Sequence, residues 1–425
     1  MELNDILSIS LRSGASDIHL KAGLPPMFRV NGALYPMKDA ARMPPEEVSR
    51  MSFSIMNNFQ KERFREANEI DLAYGVPGLG RFRVNVFQQR GTIGAVLRVI
   101  PLKVQTIPEL NLPPAIEQIA TEQRGLILVT GTTGSGKSTT LAAMLDHINS
   151  TRTAHILTIE DPIEFLVRDK RSVVNQREIG VDTMNFPAAL RAALRQDPDV
   201  ILVGEMRDLE TIEIALTAAE TGHLVMSTLH TLDATETVTR IVSAFPPHQQ
   251  KTIRLQLGAV LKGVVSQRLV PRADNSGRAP AVEILRNTAR IREMIEDRDR
   301  TKEIVEAIST GYTTHGMQTF DQSLMRLFQS GIISYEEALR QATNADDFAL
   351  RVSGVAGTSD SSWDAFEGGS ARGASGMPAQ SRPTSAPRAA VARPAPRSAT
   401  SPKRPARKAP TAQPASDDDF TIERF

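Results

Sequence analysis

The run Gly131, Thr132, Thr133, Gly134, Ser135, Gly136, Lys137, Ser138, followed by Thr139, has the spacing G-x-x-x-x-G-K-[ST]. Such glycines let successive backbone N–H groups curl around a phosphate, and the positive end of a following helix favours the anion. Lys137 is suited to reach β- and γ-phosphates, and the Ser138 hydroxyl to hold Mg²⁺. Context makes the pattern specific. GLILVTG before it is a short apolar run, and Leu141, Met144, Leu145 and Ile148 after it have helical spacing. These residues imply a binding loop for a nucleoside triphosphate.

Three other segments carry groups that could act on that phosphate. HILTIEDPIEFL puts Glu160, Asp161 and Glu164 after a strand. Carboxylates beside a triphosphate serve Mg²⁺ or position water, since otherwise they would repel it. PDVILVGEMRD is an apolar strand ending in Gly204 and Glu205. The position after such a strand usually holds an Asp that serves Mg²⁺, so Gly204 moves that task to Glu205 or to the acidic segment. Glu205 is also the candidate general base for water. Arg207 and Asp208 are expected to form an ion pair. TGHLVMSTLHT has His223 and His230 at the two ends of one strand, with His230 at the carboxyl end facing the γ-phosphate. Arg81 and Arg83 alternate on one strand and Arg98 lies on the next. They could stabilise charge from a neighbouring module or be ordinary surface arginines.

Elements must bring these residues together. Residues 1–100 read as an α+β domain: an N-terminal helix with Leu3, Ile6 and Leu7, and alternating strands broken at Asn31-Gly32 and Arg90-Gly91. Pro101, Pro108, Pro113 and Pro114 mark a linker at 101–112 and its edge. From 113 to 270 the strands LILVT, HILTI, DVILVG and HLVMSTLH alternate with helices, predicting a parallel sheet covered on both faces. Ligands of such sheets sit at the carboxyl ends of strands. Residues 271–353 read as helices, and 354–425 as a disordered Pro/Ala/Arg-rich tail ending in DDDFTIERF, where Phe420, Ile422 and Phe425 are candidate docking residues.

Composition narrows the classes. The 425 residues carry a net charge of +1, and outside the tail no basic stripe with interleaved aromatics suggests a nucleic-acid partner. No cysteine is present, which excludes disulfides, thiolate zinc sites and a cysteine nucleophile. MELNDILSIS has no basic stretch before an apolar core, so it is not read as a secretory signal. No apolar run approaches the ~20 residues that span a bilayer.

In order and spacing, GTTGSGKST, TIEDPIE, ILVGEMRD and TGHLVMSTLHT resemble the Walker A, Asp box, Walker B and His box of the type II/IV secretion ATPases. ASDIHLKAGLPPMFRVNG, RFRVNVFQQRG and GMQTFDQSL are similar to the type IV pilus retraction ATPases, the PilT/PilU family, over residues 1–350. A counterpart of that family's AIRNLIRE motif, with departures, falls on 289–296. The resemblance implies a PAS-like N-terminal domain, a RecA-like P-loop ATPase domain and a homohexamer that binds ATP between them. It implies roles for Lys137 and Ser138, for Glu160 and Glu164, for Glu205 as catalytic glutamate, for His223 and His230, and for Arg83, Arg98 and Arg81. Mg²⁺ would fall to Ser138, Glu164 and Glu205. The partners implied are an inner-membrane pilus platform protein and a paralogous retraction ATPase, with the chain cytoplasmic and peripheral to that membrane. Pilus-assembly and secretion ATPases of the family typically carry a tetracysteine zinc site, which this chain cannot build. Pilus retraction is therefore expected, ahead of an accessory paralogue, an assembly motor or a RecA-like nucleic-acid translocase.

Overall fold

Burial alternates along β-strands near residues 69–89 and is unbroken along those at 125–130, 200–203 and 224–229, a contrast that organises the computed structural model, which describes residues 2–353 apart from 31 and 102. In the amino-terminal part, helices α1 (Leu3–Arg12), α2 (Pro45–Ser54) and α3 (Asn58–Ala67) accompany six strands. These are β1 (Asp17–Lys21), β2 (Met27–Val30), β3 (Ala33–Pro36), β4 (Glu69–Val76), β5 (Gly80–Gln89) and β6 (Thr92–Ile100). They form one antiparallel sheet in the order β3-β2-β1-β6-β5-β4. Phe82, Val84 and Val86 of β5 point into a core with Ile6, Leu7 and Met51, so Arg81 and Arg83 point out. Arg90 (φ 45°) and Gly91 (φ 76°) make the tight β5–β6 turn that the Arg-Gly pair predicts.

The second sheet contains the phosphate loop. Its strands are β7 (Gly125–Thr130), β8 (His155–Glu160), β9 (Val173–Glu178), β10 (Val200–Val203), β11 (Leu224–Leu229), β12 (Leu261–Pro271) and β13 (Arg278–Arg286). The order is β13-β12-β7-β11-β10-β8-β9, parallel except for the β12–β13 pair. Leu126 and Leu128 of β7 join the core on one face, Ile127 and Val129 the core on the other. Both faces are therefore covered, by α4 (Ala115–Ala120), α5 (Lys137–Thr151), α6 (Phe186–Ala193), α7 (Leu209–Glu220), α8 (Ala234–Ser243) and α9 (Gln250–Val260). Ile107 and Leu112 of the proline-rich connection are buried in this core, so that connection is seated on the second sheet.

Two differences from the sequence reading stand out. The stretch after 271 is not all helical, because Arg278–Arg286 pairs with β12 over nine register positions. Its short apolar run APAVEIL is a fully buried strand, and such runs carry no alternation to distinguish them. The remaining helices are α10 (Ala289–Glu296), α11 (Ile304–Thr310), α12 (Tyr312–His315), α13 (Phe320–Gln329), α14 (Tyr335–Gln341) and α15 (Ala345–Val352). Strand β9 was also unforeseen, because VVNQRE is mostly polar and lies at the sheet edge. The expected tail, 354–425, and its Phe420, Ile422 and Phe425 lie outside the described residues.

Candidate active site

Strand β7 ends in the fully buried Thr130, and the loop that follows turns directly into α5. Gly136 caps that helix with φ 92°, a left-handed conformation that glycine adopts without strain, and no side chain occupies the cap. The first N–H groups of the 15-residue helix stay available to an anion. A β-carbon at Gly131 would lie 2.4 Å from the Gln267 carbonyl oxygen, so close packing against β12 demands glycine there. Lys137 folds back across the loop, its Nζ donating to the carbonyls of Gly131 (2.9 Å) and Thr132 (3.0 Å). Burial lowers the Lys137 pKa, opposed by the nearby carboxylates of Glu205 and Glu164.

A cavity of about 570 Å³ opens beside the loop, at the carboxyl ends of β7, β8, β10 and β11. Thr133, Gly134, Gly136, Lys137, Ser138 and Thr139 line it. Gly131, Thr132 and Ser135 line a smaller depression on the loop's other side, where the Ser135 hydroxyl is buried without a partner. Glu160, Asp161 and Glu164 reach the cavity from β8 and the loop after it. Glu160 accepts from the Thr158 hydroxyl (2.6 Å) and the Gln176 amide (3.1 Å), yet burial still raises its pKa. Glu205 stands across the cavity, within 3.7 Å of His230 Nε2 and 2.8 Å of Arg207 Nε. Arg207 therefore pairs with Glu205 and not with Asp208, which caps α7 through the Thr211 N–H and hydroxyl (both 2.8 Å).

Not every expected residue arrives. Arg83 lines the cavity from β5. Arg98 is its cross-strand partner on β6, but its Nε donates to Asp17 Oδ1 at 2.8 Å and it is absent from the cavity wall. Arg81 bonds Glu178 at 2.9 Å. His223 sits at the opposite end of β11, its Nδ1 2.9 Å from the Ala218 carbonyl oxygen. Roughly 20 Å of extended strand separates it from His230, so the two histidines do not share this cavity.

Sequence reasoning missed Gln267 and Arg278. Gln267 accepts from the Thr140 hydroxyl at 2.7 Å, and its Nε2 lies 2.7 Å from where a Gly136 β-carbon would be, so it braces the loop from β12. Arg278 opens β13 and also lines the cavity. The one available signal was the polar triplet Ser266-Gln267-Arg268 inside an apolar strand.

Among the described residues no helix is long and apolar enough to cross a membrane. A family model described as Type II/IV secretion system protein matches residues 1–340. The chain is 48% identical over 351 residues to the type IV pilus retractation ATPase PilT of Pseudomonas aeruginosa, spanning 82% of this chain and 100% of that one. To the type IV pilus ATPase PilU of the same species it is 40% identical over 354 residues, 83% of this chain and 91% of that one. The structure is similar to the crystal structure of the pilus retraction motor PilT with bound ADP, with a TM-score of 0.75 and 45% identity. That likeness covers 82% of this chain and 98% of the other.

Proposed function

The chain belongs to the PilT/PilU branch of the type II/IV secretion ATPases, and from that membership we propose that it is a hexameric motor hydrolysing ATP to retract a type IV pilus and drive twitching motility. The observation that carries the reading is the convergence of Lys137, Glu164, Glu205, His230 and Arg83 on one cavity beside the phosphate loop.

Ser138, Glu164 and Glu205 offer only oxygen donors, which suits Mg²⁺. When bound, Mg²⁺ supplies charge neutralisation at the phosphates. Lys137 exchanges its loop carbonyls for β- and γ-phosphate oxygens. Glu205 orients a water in line with the γ-phosphorus. The water oxygen bonds to phosphorus as the bond to the bridging oxygen breaks, ADP leaves, and the proton passes to Glu205 and then solvent. Glu160 anchors the acidic segment, and His230 hydrogen-bonds the γ-phosphate as a sensor. Arg83 stabilises the charge spread over the γ-oxygens. Arg98 joins it only by exchanging Asp17 for phosphate, and His223 has no part at this cavity.

In this reading residues 1–100 are a PAS-like domain and the second sheet is a RecA-like core, with ATP between them. Six copies form a cytoplasmic ring acting on an inner-membrane platform protein, beside a paralogous retraction ATPase. Glu205→Gln should retain ATP binding while kcat falls about 10²-fold or more; wild-type turnover would reject the assignment. A strain carrying Lys137→Ala should be piliated but non-motile. Bald cells would instead mark an assembly motor. The 40% identity to PilU supports an accessory role as the second reading, and retraction persisting without the chain would favour it.

A further inference from the structure

Arg81 is the one arginine of the β5–β6 pair that is tied to the nucleotide-binding sheet. Its Nη2 lies 2.9 Å from Glu178 Oε2, with the two side chains 22% and 6% exposed. Glu178 ends the edge strand β9, where it is the register partner of Glu160 on β8. The same Glu178 oxygen accepts from the backbone N–H of Ile163 at 3.2 Å, inside the loop between Asp161 and Glu164. Arg83 stands two residues from Arg81 on the same outward face, roughly 7 Å along the strand. It lines the cavity whereas Arg81 does not.

We propose that Arg81 and Glu178 are positioning residues: their partly buried ion pair docks β5 so that Arg83 faces the phosphates, and at once holds the acidic loop that carries Glu164. Resting on the reading of Arg83 given above, this assigns Arg81 no phosphate contact of its own. One carboxylate oxygen serves both the guanidinium and the loop, so loss of either partner releases two parts of the site together. A buried pair of this kind adds little net stability against an apolar replacement, but it specifies one arrangement, and breaking it strands a charge. Misplacing a reacting group by about 1 Å is enough to cost on the order of 10²-fold in rate.

The test is steady-state ATPase kinetics of the full chain. Arg81→Met and Glu178→Gln should each lower kcat about tenfold or more with KM for ATP changed less than about threefold, because the loop itself still holds the nucleotide. The double variant should be no slower than the slower single, the mark of one coupled interaction. Exchange of the charges, Arg81→Glu with Glu178→Arg, should recover only part of the lost kcat, because an arginine at 178 restores the pair but cannot accept from the Ile163 N–H. Should that exchanged pair not fold, the neutral pair of substitutions decides. In an Arg83→Ala background, adding Arg81→Met should lower the single-turnover rate by a smaller factor than it does in the wild-type chain, because only the hold on the acidic loop is left to lose. Additive losses, an effect on KM alone, or wild-type kcat in both single variants overturns the proposal while leaving the ATPase reading intact. Wild-type turnover of Arg83→Ala brings down the role given to Arg83 and this proposal with it, and still leaves the ATPase reading intact.

Discussion

A β-carbon at Gly204 would lie 3.2 Å from the Ile159 carbonyl oxygen and 3.3 Å from Cα of Glu160. That gives the missing Walker B aspartate a physical reason. The end of β10 presses on the end of β8, Gly204 N–H donating to Ile159 O at 2.7 Å, and a side chain at 204 would force the end of β8 to give by a few tenths of an ångström. The acid moves one residue on, to Glu205, where the chain has left the strand and the carboxylate meets Arg207 and His230. Restoring the usual acid by Gly204→Asp should therefore destabilise the fold, by about 1–3 kcal/mol, through crowding against the end of β8. Thermal unfolding reads this out, and an unchanged midpoint would sink the packing account.

Strand β13 acts through an element it does not adjoin in sequence. Its Glu283 is buried and accepts from the N–H of Ala234, the first residue of α8, at 2.8 Å. Burial raises the Glu283 carboxyl to about 7, and Asp233 and Asp321 push the same way, against that hydrogen bond and Arg268. The folded chain thus keeps a proton that the unfolded chain releases at an ordinary carboxyl pKa. The stabilising contribution is whole below about pH 4 and is lost as pH rises through about 7, on the order of 3 kcal/mol in all. Glu283→Gln keeps an acceptor for Ala234 but cannot ionise. It should raise the unfolding midpoint at pH 8 by several degrees and leave it nearly unchanged at pH 4. Parallel pH curves for the two proteins would rule this out.

Across the whole molecule, the cavity draws its wall from β5 as well as from the sheet of β7 to β13, so a bound nucleotide should hold both parts together. ATP with Mg²⁺ at about 100 times Kd should add roughly 2.7 kcal/mol and raise the unfolding midpoint by a few degrees. Lys137→Ala should abolish the rise; an equal rise in that variant would argue against nucleotide binding in this loop. Local chemistry made the phosphate loop readable from sequence, because glycine spacing, Lys137 and Ser138 act within one strand–turn–helix unit. The acidic segment, Glu205 and His230 were readable too, since in a parallel sheet every strand delivers its carboxyl end to the same edge. Arg98, Arg81 and His223 were not. Their chemistry depends on partners far along the chain: Asp17 takes one arginine, Glu178 the other, and the length of β11 carries the histidine away. Gln267 and β13 were hidden for the same reason, because a brace or a buried strand has meaning only against what it touches. The order of the amino acids determined the phosphate loop and the layered α/β plan. Only tertiary packing decided which charges face the cavity beside that loop, since each charge goes to whichever opposite group folding brings nearest.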